Sequence, residues 1–269
     1  MNIRGILRDI NRIATNNSID KVYLVGGIPR DYSIEPGELK TTDIDITTNT
    51  SDITRLAILY ADKFKNRFKL FDQGNVKVFL PTTTIDFSSN YISENVSNYL
   101  KSEECTEYIC PAFPDINKGM LEPFSRDFTI NTLHLDIDDM SIYDPTESGI
   151  KDLNNKILKT PVPAEITISD DPRRIHRAIY FSSKYGFSIH SDIINYVKNN
   201  NEILNDERIK ESFVTSKISQ AIFFNPENTL SILREMNMLG SIPLVGEFKD
   251  FVLKNKLTLE YLNEEKKYR

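Results

Sequence analysis

A short apolar segment runs directly into the only pair of adjacent glycines in this sequence. The segment, residues 21–25 (KVYLV), predicts a buried strand, because it is short, apolar and followed by turn-forming residues. Gly26 and Gly27 come next, and without a Cβ atom their backbone can approach a ligand closely. We therefore predict a strand, a tight turn and a platform for phosphate here.

Two aspartates follow on a predicted second strand. Asp43 and Asp45 belong to the stretch DIDIT, and side chains two apart on a strand point to the same face. Mg²⁺ prefers such oxygen ligands and shares its coordination with substrate phosphates. An isolated Asp-x-Asp is more often a solvated turn or strand end, and residues 136–138 (DID) repeat it without a preceding glycine pair. The combination of turn and carboxylates predicts phosphoryl or nucleotidyl transfer.

A third carboxylate follows on a predicted hairpin. Residues 75–80 (NVKVFL) and 85–87 (IDF) are strand-like and are separated by a proline and three threonines. We expect Asp86 to emerge on a strand beside DIDIT. The alternative is that Asp86 is only a charge at a strand edge.

Composition limits the class of protein. The 269 residues are 39% hydrophobic and 27% charged, which suits a globular protein of two lobes. No apolar run approaches the roughly 20 residues of a membrane-spanning helix. The N-terminal apolar spacing is helical and lacks the apolar core of a signal peptide, so we expect a cytoplasmic protein. Cys105 and Cys110 form neither a disulfide framework nor a zinc site and are expected to be reduced.

The formal net charge of −6 argues against a protein that coats nucleic acid non-specifically. An RNA partner would have to be held by a local basic surface.

The pattern along the chain changes near residues 161–169. Before them, short strands alternate with helical stretches such as residues 52–64, and residues 32–40 and 88–123 are predicted loops. After them, amphipathic helices are predicted for residues 172–185, 193–199, 207–223 and 227–236.

The ordered motifs resemble the class II branch of the polymerase-β-like nucleotidyltransferases, which comprises bacterial-type tRNA CCA-adding enzymes and poly(A) polymerases. The resemblance covers about residues 20–244. It is carried by residues 26–31 (GGIPRD), 43–45 (DID), 85–87 (IDF), 126–133 (RDFTINTL), 144–153 (DPTESGIKDL), 170–174 (DDPRR) with 177–178 (RA) and 185–187 (YGF), 207–211 (ERIKE) and 233–239 (LREMNML).

The resemblance implies an α+β fold. An N-terminal polymerase-β-like nucleotidyltransferase head, a mixed sheet with helices, would span residues 1–160. An all-helical neck for base selection and RNA binding would span residues 161–269, and the start of a short body is the alternative for its last part. Family members continue into body and tail domains that hold tRNA, whereas this sequence stops at Arg269, so body and tail are expected to be truncated. Ser125 also stands where the family usually has an arginine, and Asp170 where it usually has a glutamate.

The resemblance also implies roles for the first motifs. Asp43, Asp45 and Asp86 would bind two Mg²⁺ ions, with Asp86 on the side of the attacking hydroxyl as proton acceptor. Gly26 and Gly27 would offer backbone N–H groups to the triphosphate. Arg30 would either contact the substrate or brace the loop by pairing with Asp31.

A ribose site and a base site are implied as well. Arg126, Asp127 and Asn131 lie on what we interpret as one helical stretch and would meet the ribose; the alternative is a capping aspartate with a surface asparagine. Asp171 and Arg174, three apart on a predicted helix, would present an acceptor beside a donor fork that fits cytosine and adenine but not uracil and guanine. The alternative there is a surface ion pair.

Other charged residues stay ambiguous. Arg173, Arg177 and Lys184 fit either a phosphate track or a solvated helix face. We assign no role to the two cysteines or to the three scattered histidines, His134, His176 and His190.

The primary hypothesis is template-independent addition of CMP and AMP, from CTP and ATP, to the 3′ end of tRNA. A poly(A) polymerase and a partial enzyme that adds only CC or only A share these motifs. A relative that modifies a special RNA, with or without a partner, and a non-catalytic binding module are the other classes. The partners implied are RNA and nucleoside triphosphates, with neither DNA nor a membrane.

Overall fold

The computed structural model of the protein describes residues 3–37, 39, 43–48, 52–89, 91–102, 121–257 and 260. The chain forms two compact units, Met1–Lys151 and Asp152–Arg269. The boundary predicted from the sequence, after residue 160, lies inside the second unit. Both cysteines and the middle of the predicted 88–123 loop lie outside the described residues.

Within the described residues, the first unit contains a sheet of seven strands in the order β3-β4-β5-β2-β1-β6-β7. Neighbouring strands are antiparallel except β2 and β5, which run parallel. The predicted mixed sheet is therefore confirmed. The strands are β1 (Val22–Leu24), β2 (Asp43–Thr48), β3 (Arg67–Leu70), β4 (Val76–Phe79), β5 (Thr84–Phe87), β6 (His134–Asp136) and β7 (Ile142–Tyr143).

Helices of the first unit include two long ones that cover the sheet. Their buried apolar residues, spaced three or four apart, join the residues of the strands in one core. The helices are α1 (Ile3–Asn16), α2 (Gly27–Ile34), α3 (Ile53–Phe64) and α4 (Glu94–Lys101); a further helix, α5 (Gly149–Asn155), begins in this unit and ends in the second. The covering pair is α1 and α3.

The two faces of the sheet differ in chemistry. Ile44 and Ile46 on β2 are fully buried in the core under α1 and α3. Asp43 and Asp45 alternate with them and so point to the opposite face. Asp86 on β5 is flanked in the same way by two buried apolar residues. Because burying one such isoleucine contributes about 1.5–3 kcal/mol, a slip of one residue is excluded and the aspartates stay on the open face.

The second unit is mainly helical, as predicted, with a short parallel sheet of two strands, β8 (Ile157–Leu158) and β9 (Ser188–Ile189), in addition. Its helices within the described residues are α6 (Ala164–Asp170), α7 (Arg174–Tyr185), α8 (Ser191–Asn199), α9 (Glu211–Phe224), α10 (Pro226–Glu235) and α11 (Gly246–Lys254).

Three local predictions need correction. The predicted boundary at residues 161–169 contains most of α6, which begins directly after Pro163. The predicted loop at 88–123 contains α4, where the Val96 N–H donates to the hydroxyl of the capping residue Ser93. The sequence also does not predict β3, an edge strand whose four residues are all exposed.

No helix in the described part of the chain is both long and apolar enough to span a membrane.

Candidate active site

The three predicted carboxylates lie on one face of the sheet. Asp45 on β2 is directly opposite Asp86 on β5 in the parallel pairing, and Asp43 is opposite Thr84. Asp43 is exposed, whereas Asp45 and Asp86 are partly buried. The strand register thus brings the second and third carboxylates next to each other, although they are 41 residues apart in sequence.

Asp45 carries the electrostatic signature of this crowding. Burial, followed by the charges of Asp86 and Asp43, raises the pKa of Asp45 to about 6. The positive charges of Arg126 and Lys77 act in the opposite direction. Ionisation of Asp45 in the folded protein therefore costs free energy, and an additional cation near the carboxylate would lower that cost.

Lys77 is a charged neighbour of this site that sequence reasoning missed. It lies on β4 directly opposite Asp86, and its Nζ is 3.0 Å from Asp86 Oδ2. The alternation of the predicted hairpin could have revealed it, because Lys77 and Asp86 occupy facing positions on neighbouring strands.

The donor set of this site fits a divalent metal. Among the residues that the structure describes, no three acidic, imidazole or thiol side chains lie together as a preformed metal site. The available donors are nevertheless carboxylate oxygens on one sheet face, and burial together with the like charges raises the pKa of Asp45. Hard oxygen donors of this kind suit Mg²⁺, so the residues fit the metal once Asp86 turns from Lys77.

The glycine turn lies beside these carboxylates. Gly26 has φ +76°, and a Cβ built there would be 3.0 Å from Asp45 Oδ2 and 3.9 Å from Arg126 Nη1. Both the positive φ and the close approach favour glycine. Gly27 begins α2, whose first N–H groups lack partners within the helix. Backbone donors at a helix N-terminus are suited to phosphate.

Arg30 braces this turn from inside the protein. Only 5% of its surface is exposed, its Nε donates to Asp31 Oδ1 at 2.9 Å, and its Nη1 donates to Asn131 Oδ1 at 2.7 Å. Of the two predicted roles for Arg30, the bracing contact with Asp31 is the one that the structure contains.

The predicted helical stretch from Arg126 to Asn131 is wrong. Arg126 and Phe128 have extended backbones, and only Thr129–Asn131 forms a turn of 3₁₀-helix. The chain nevertheless brings the predicted residues together, because Asn131 Nδ2 donates to Asp127 Oδ1 at 2.9 Å and Arg126 Nη1 donates to the Asn131 carbonyl at 3.2 Å. Asp127 and Asn131 are both buried, and the Asn131 amide contacts the Asp127 carboxylate through Nδ2 and the Arg30 guanidinium through Oδ1.

Two further residues hold this segment. The Glu122 carboxylate accepts from Arg126 Nε at 3.0 and 3.1 Å, a contact that the i, i+4 spacing could have indicated. Ser125, which replaces the usual arginine, accepts a hydrogen bond from the Ser93 backbone N–H at 3.1 Å.

In the second unit, Asp171 does not share a helix with Arg174. Asp171 has an extended backbone after α6, and α7 begins at Arg174. The Asp171 carboxylate accepts two hydrogen bonds from the Arg173 guanidinium, at 2.8 and 2.9 Å, and Arg174 Nη1 donates to the Thr167 carbonyl at 2.9 Å. Partial burial raises the pKa of Asp171, but the hydrogen bonds and charge of Arg173, together with the charge of Arg174, lower it below its usual value.

A second fork of the same geometry supports that segment. Asp206 accepts from the Arg208 guanidinium at 2.8 and 2.7 Å, and Arg208 also donates to the carbonyls of Ser169 and Asp170 at 3.1 and 2.9 Å. Arg208 thus fixes the end of α6 immediately before Asp171. The helix predicted to begin at residue 207 begins at Glu211, because residues 206–210 form this fork and a turn.

The chain is similar to a known protein family and to several of its members. Residues 22–159 match the poly A polymerase head domain. The chain is 35% identical over 137 residues to tRNA nucleotidyltransferase cca1 of Schizosaccharomyces pombe, covering 48% of this chain and 27% of that protein. It is 26% identical over 238 residues to the CC-adding tRNA nucleotidyltransferase of Halalkalibacterium halodurans, covering 88% and 54%.

A solved structure is similar in fold. The complex of a CCA-adding enzyme with ATP superposes with a TM-score of 0.66 at 19% identity, covering 89% of this chain and 52% of that one. The chain therefore spans about a quarter to a half of the length of these proteins.

Proposed function

Because the chain belongs to the family of the poly A polymerase head domain, we propose that it transfers nucleoside monophosphates from nucleoside triphosphates to the 3′ end of RNA. The specific proposal is addition of CMP and AMP, from CTP and ATP, to the 3′ end of tRNA. The observation that carries it is the pairing of Asp45 with Asp86 beside the Gly26 turn.

The carboxylates would hold Mg²⁺. Asp43, Asp45 and Asp86 supply the oxygen donors, and the metal, when bound, supplies charge neutralisation for the triphosphate and acidifies the attacking hydroxyl. The raised pKa of Asp45 supports a site built for a cation rather than for three free carboxylates.

Transfer needs one bond exchange and one proton acceptor. The RNA 3′-oxygen forms a bond to the α-phosphorus, the bond from that phosphorus to the bridging oxygen breaks, and pyrophosphate leaves with those electrons. Asp86 accepts the hydroxyl proton after its carboxylate releases Lys77. The N–H groups that open α2, beside Gly26 and Gly27, hold the triphosphate.

The buried residues Asp127 and Asn131 would position two arginines of the nucleotide site. Arg126 lies close enough to the Gly26 turn to lower the pKa of Asp45, and we assign it to the nucleotide. Asp127 and Asn131 hold Arg126 and Arg30 in place. We propose that they act on the nucleotide site through these arginines rather than by a direct hydrogen bond to ribose.

Base choice would rest on Asp171 and Arg174. A carboxylate accepts from the exocyclic amine of cytosine or adenine, and a guanidinium donates to the neighbouring ring nitrogen. Uracil and guanine present the opposite polarity and leave both groups unpaired. In this proposal Asp171 exchanges Arg173 for the base.

Two related activities remain alternatives. A partial enzyme is favoured by the similarity to a CC-adding relative over 88% of this chain. A poly(A) polymerase would use the same residues with adenine alone. The presence of all three aspartates on one sheet face argues against a non-catalytic binding relative.

An extension assay tests the proposal. tRNA transcripts that lack CCA, end in C or end in CC are offered beside an unrelated RNA, with each nucleoside triphosphate supplied separately and together in Mg²⁺. Addition that stops at CCA on tRNA alone is expected. Addition that stops at CC would establish the partial activity, long A-tracts on any RNA would establish a poly(A) polymerase, and no incorporation would overturn transfer by this chain.

A further inference from the structure

Three cationic side chains of the second unit gather around aromatic rings on two packed helices. Arg177 and Lys184 are seven residues apart on α7 and so share one face. Lys217 lies on α9, which packs against α7. The basic–aromatic patch is defined as Arg177, Tyr180, Phe181, Lys184, Lys217, Phe223 and Phe224.

The cations lie over the rings at short distances. Lys217 Nζ is 4.6 Å and Lys184 Nζ is 5.6 Å from the centroid of the Tyr180 ring, so two ammonium groups share one ring. The Arg177 guanidinium is 5.4 Å from the centroid of Phe181. Cation–π contacts of this kind orient the side chains but leave their positive charge in place.

Within the described part of the chain, the charge of the two lysines is not neutralised by neighbouring acids. Among the ion pairs of the described residues, none joins a carboxylate to Lys184 or Lys217. Burial, followed by the charges of Arg177 and Lys184, lowers the pKa of Lys217. Like charges are thus held together in a chain whose net charge is −6, an arrangement that an anionic ligand would stabilise.

Exposed rings lie beside the cations. Phe223 is 81% exposed and Phe224 is 44% exposed, and their centroids are 5.5 Å apart. Large exposed aromatic residues next to a basic groove are the arrangement on which single-stranded nucleic acid binds, with phosphates on the cations and bases stacked on the rings.

We propose that the basic–aromatic patch binds the phosphate backbone of the RNA substrate, with Phe223 and Phe224 as a stacking surface. The inference rests on the proposed function for the identity of the ligand as RNA. It assigns to Lys217, Phe223 and Phe224 a role that no sequence motif indicates. It also resolves the ambiguity of Arg177 and Lys184 in favour of a phosphate track.

The test measures RNA binding without catalysis. Fluorescence anisotropy of a labelled tRNA transcript lacking CCA is recorded in EDTA at several salt concentrations. The double variant Lys184→Gln/Lys217→Gln is compared with the wild type. The matched control is Lys198→Gln/Lys249→Gln, which removes two exposed lysines from α8 and α11 of the same unit. Lys184→Arg/Lys217→Arg retains the charge and checks that packing is intact.

We expect the double glutamine variant to bind RNA about tenfold more weakly near 0.1 M salt. The slope of log Kd against log salt should fall by about 0.7–0.9 for each phosphate that the patch no longer neutralises. The arginine variant should bind like the wild type, and Phe223→Ala/Phe224→Ala should weaken binding to single-stranded RNA. Unchanged affinity and slope in the glutamine variant would overturn the proposal.

Competition separates RNA from other polyanions. If polyglutamate displaces the RNA from the wild type as well as unlabelled tRNA does at equal charge concentration, the patch is a general anion site and the RNA assignment fails. The extension assay is independent of this result. A patch that binds RNA in an inactive chain would reject the proposed function alone, whereas active variants with unchanged RNA affinity would reject the patch alone.

Discussion

Asp45 and Asp86 lie directly opposite each other on parallel neighbouring strands, and this pairing, together with burial, holds the pKa of Asp45 at about 6. A residue that ionises reluctantly in the folded protein destabilises it at neutral pH. Such a loss of stability is expected at a cation-binding site, because its carboxylates are arranged for the metal-bound state and repel one another without the metal.

Removal of the Asp45 charge should therefore stabilise the metal-free protein. At Asp45 the folded state binds more protons than the unfolded state between pH 4 and 6, so the contribution of this residue to stability falls as the pH rises through that range, and its full cost is present above it. In EDTA at pH 8 we expect Asp45→Asn to raise the free energy of unfolding by about 1–3 kcal/mol, measured by urea denaturation. Asp138→Asn, in the other Asp-x-Asp, should change it by less than about 0.5 kcal/mol. A less stable Asp45→Asn variant would contradict this account of the site.

The buried contact between Arg30 and Asn131 should be important for folding. Asn131→Ala removes the acceptor of a guanidinium that is 5% exposed and the donor to Asp127. We expect a loss of about 2 kcal/mol in the free energy of unfolding, since buried polar groups would lose partners. Asn11→Ala removes an exposed hydrogen bond to Asp138 in the same unit and should have little effect. Equal losses of unfolding free energy in the two variants would contradict the claim that burial strengthens this contact.

Base discrimination should depend on Asp171 and not on an exposed carboxylate elsewhere in the second unit. We expect Asp171→Ala to reduce the preference for CTP over UTP in the extension assay about 10- to 100-fold. Without the carboxylate, uracil no longer leaves a buried acceptor unpaired, so the penalty against UTP is lost. Asp192→Ala removes an exposed carboxylate that pairs with His190 in the same unit and should preserve the preference. If both variants discriminate like the wild type, Asp171 does not contact the base.

His176 should make the protein sensitive to acid. Burial lowers the pKa of His176 to about 4, below the value of 6.5 for an unperturbed histidine. At His176 the unfolded state then binds more protons between these values, so the contribution of this residue to stability is full above pH 6.5 and is lost as the pH falls towards 4, by on the order of 3 kcal/mol. His176→Phe should reduce the slope of this part of the stability profile, measured by urea denaturation from pH 4 to 7, while burial of His134, whose pKa is lowered to about 3, keeps part of the slope. The half-buried His190 provides a control, and a profile that His190→Gln flattens equally would refute the assignment.

The strands of the active face could be predicted from the sequence because burial and chemistry alternate along them. DIDIT and TIDF each place an aspartate between isoleucines or beside phenylalanine, and one register satisfies both strands. The edge strand β3 (RFKL) does alternate between charged and apolar residues, but the run is only four residues long and none of it is buried, so the alternation does not mark a buried face.

The ribose and base motifs show what spacing alone does not decide. A separation of four between Asp127 and Asn131 predicts one helical face, and the two side chains do meet, but across an extended residue and a 3₁₀ turn. Asp171 and Arg174 are also close in sequence, yet the nearer partner Arg173 takes the carboxylate. In both cases a tertiary or local hydrogen bond outweighs helix propensity.

Single-turnover incorporation of AMP into tRNA ending in CC, in Mg²⁺, tests the central claim most directly. The wild type and Asp138→Asn should incorporate at the same rate. Asp45→Asn and Asp86→Ala should lose at least about 10³-fold in rate, while Asp86→Ala keeps part of its ATP binding. Incorporation by Asp86→Ala at the wild-type rate would contradict the assignment of the paired carboxylates as the catalytic site.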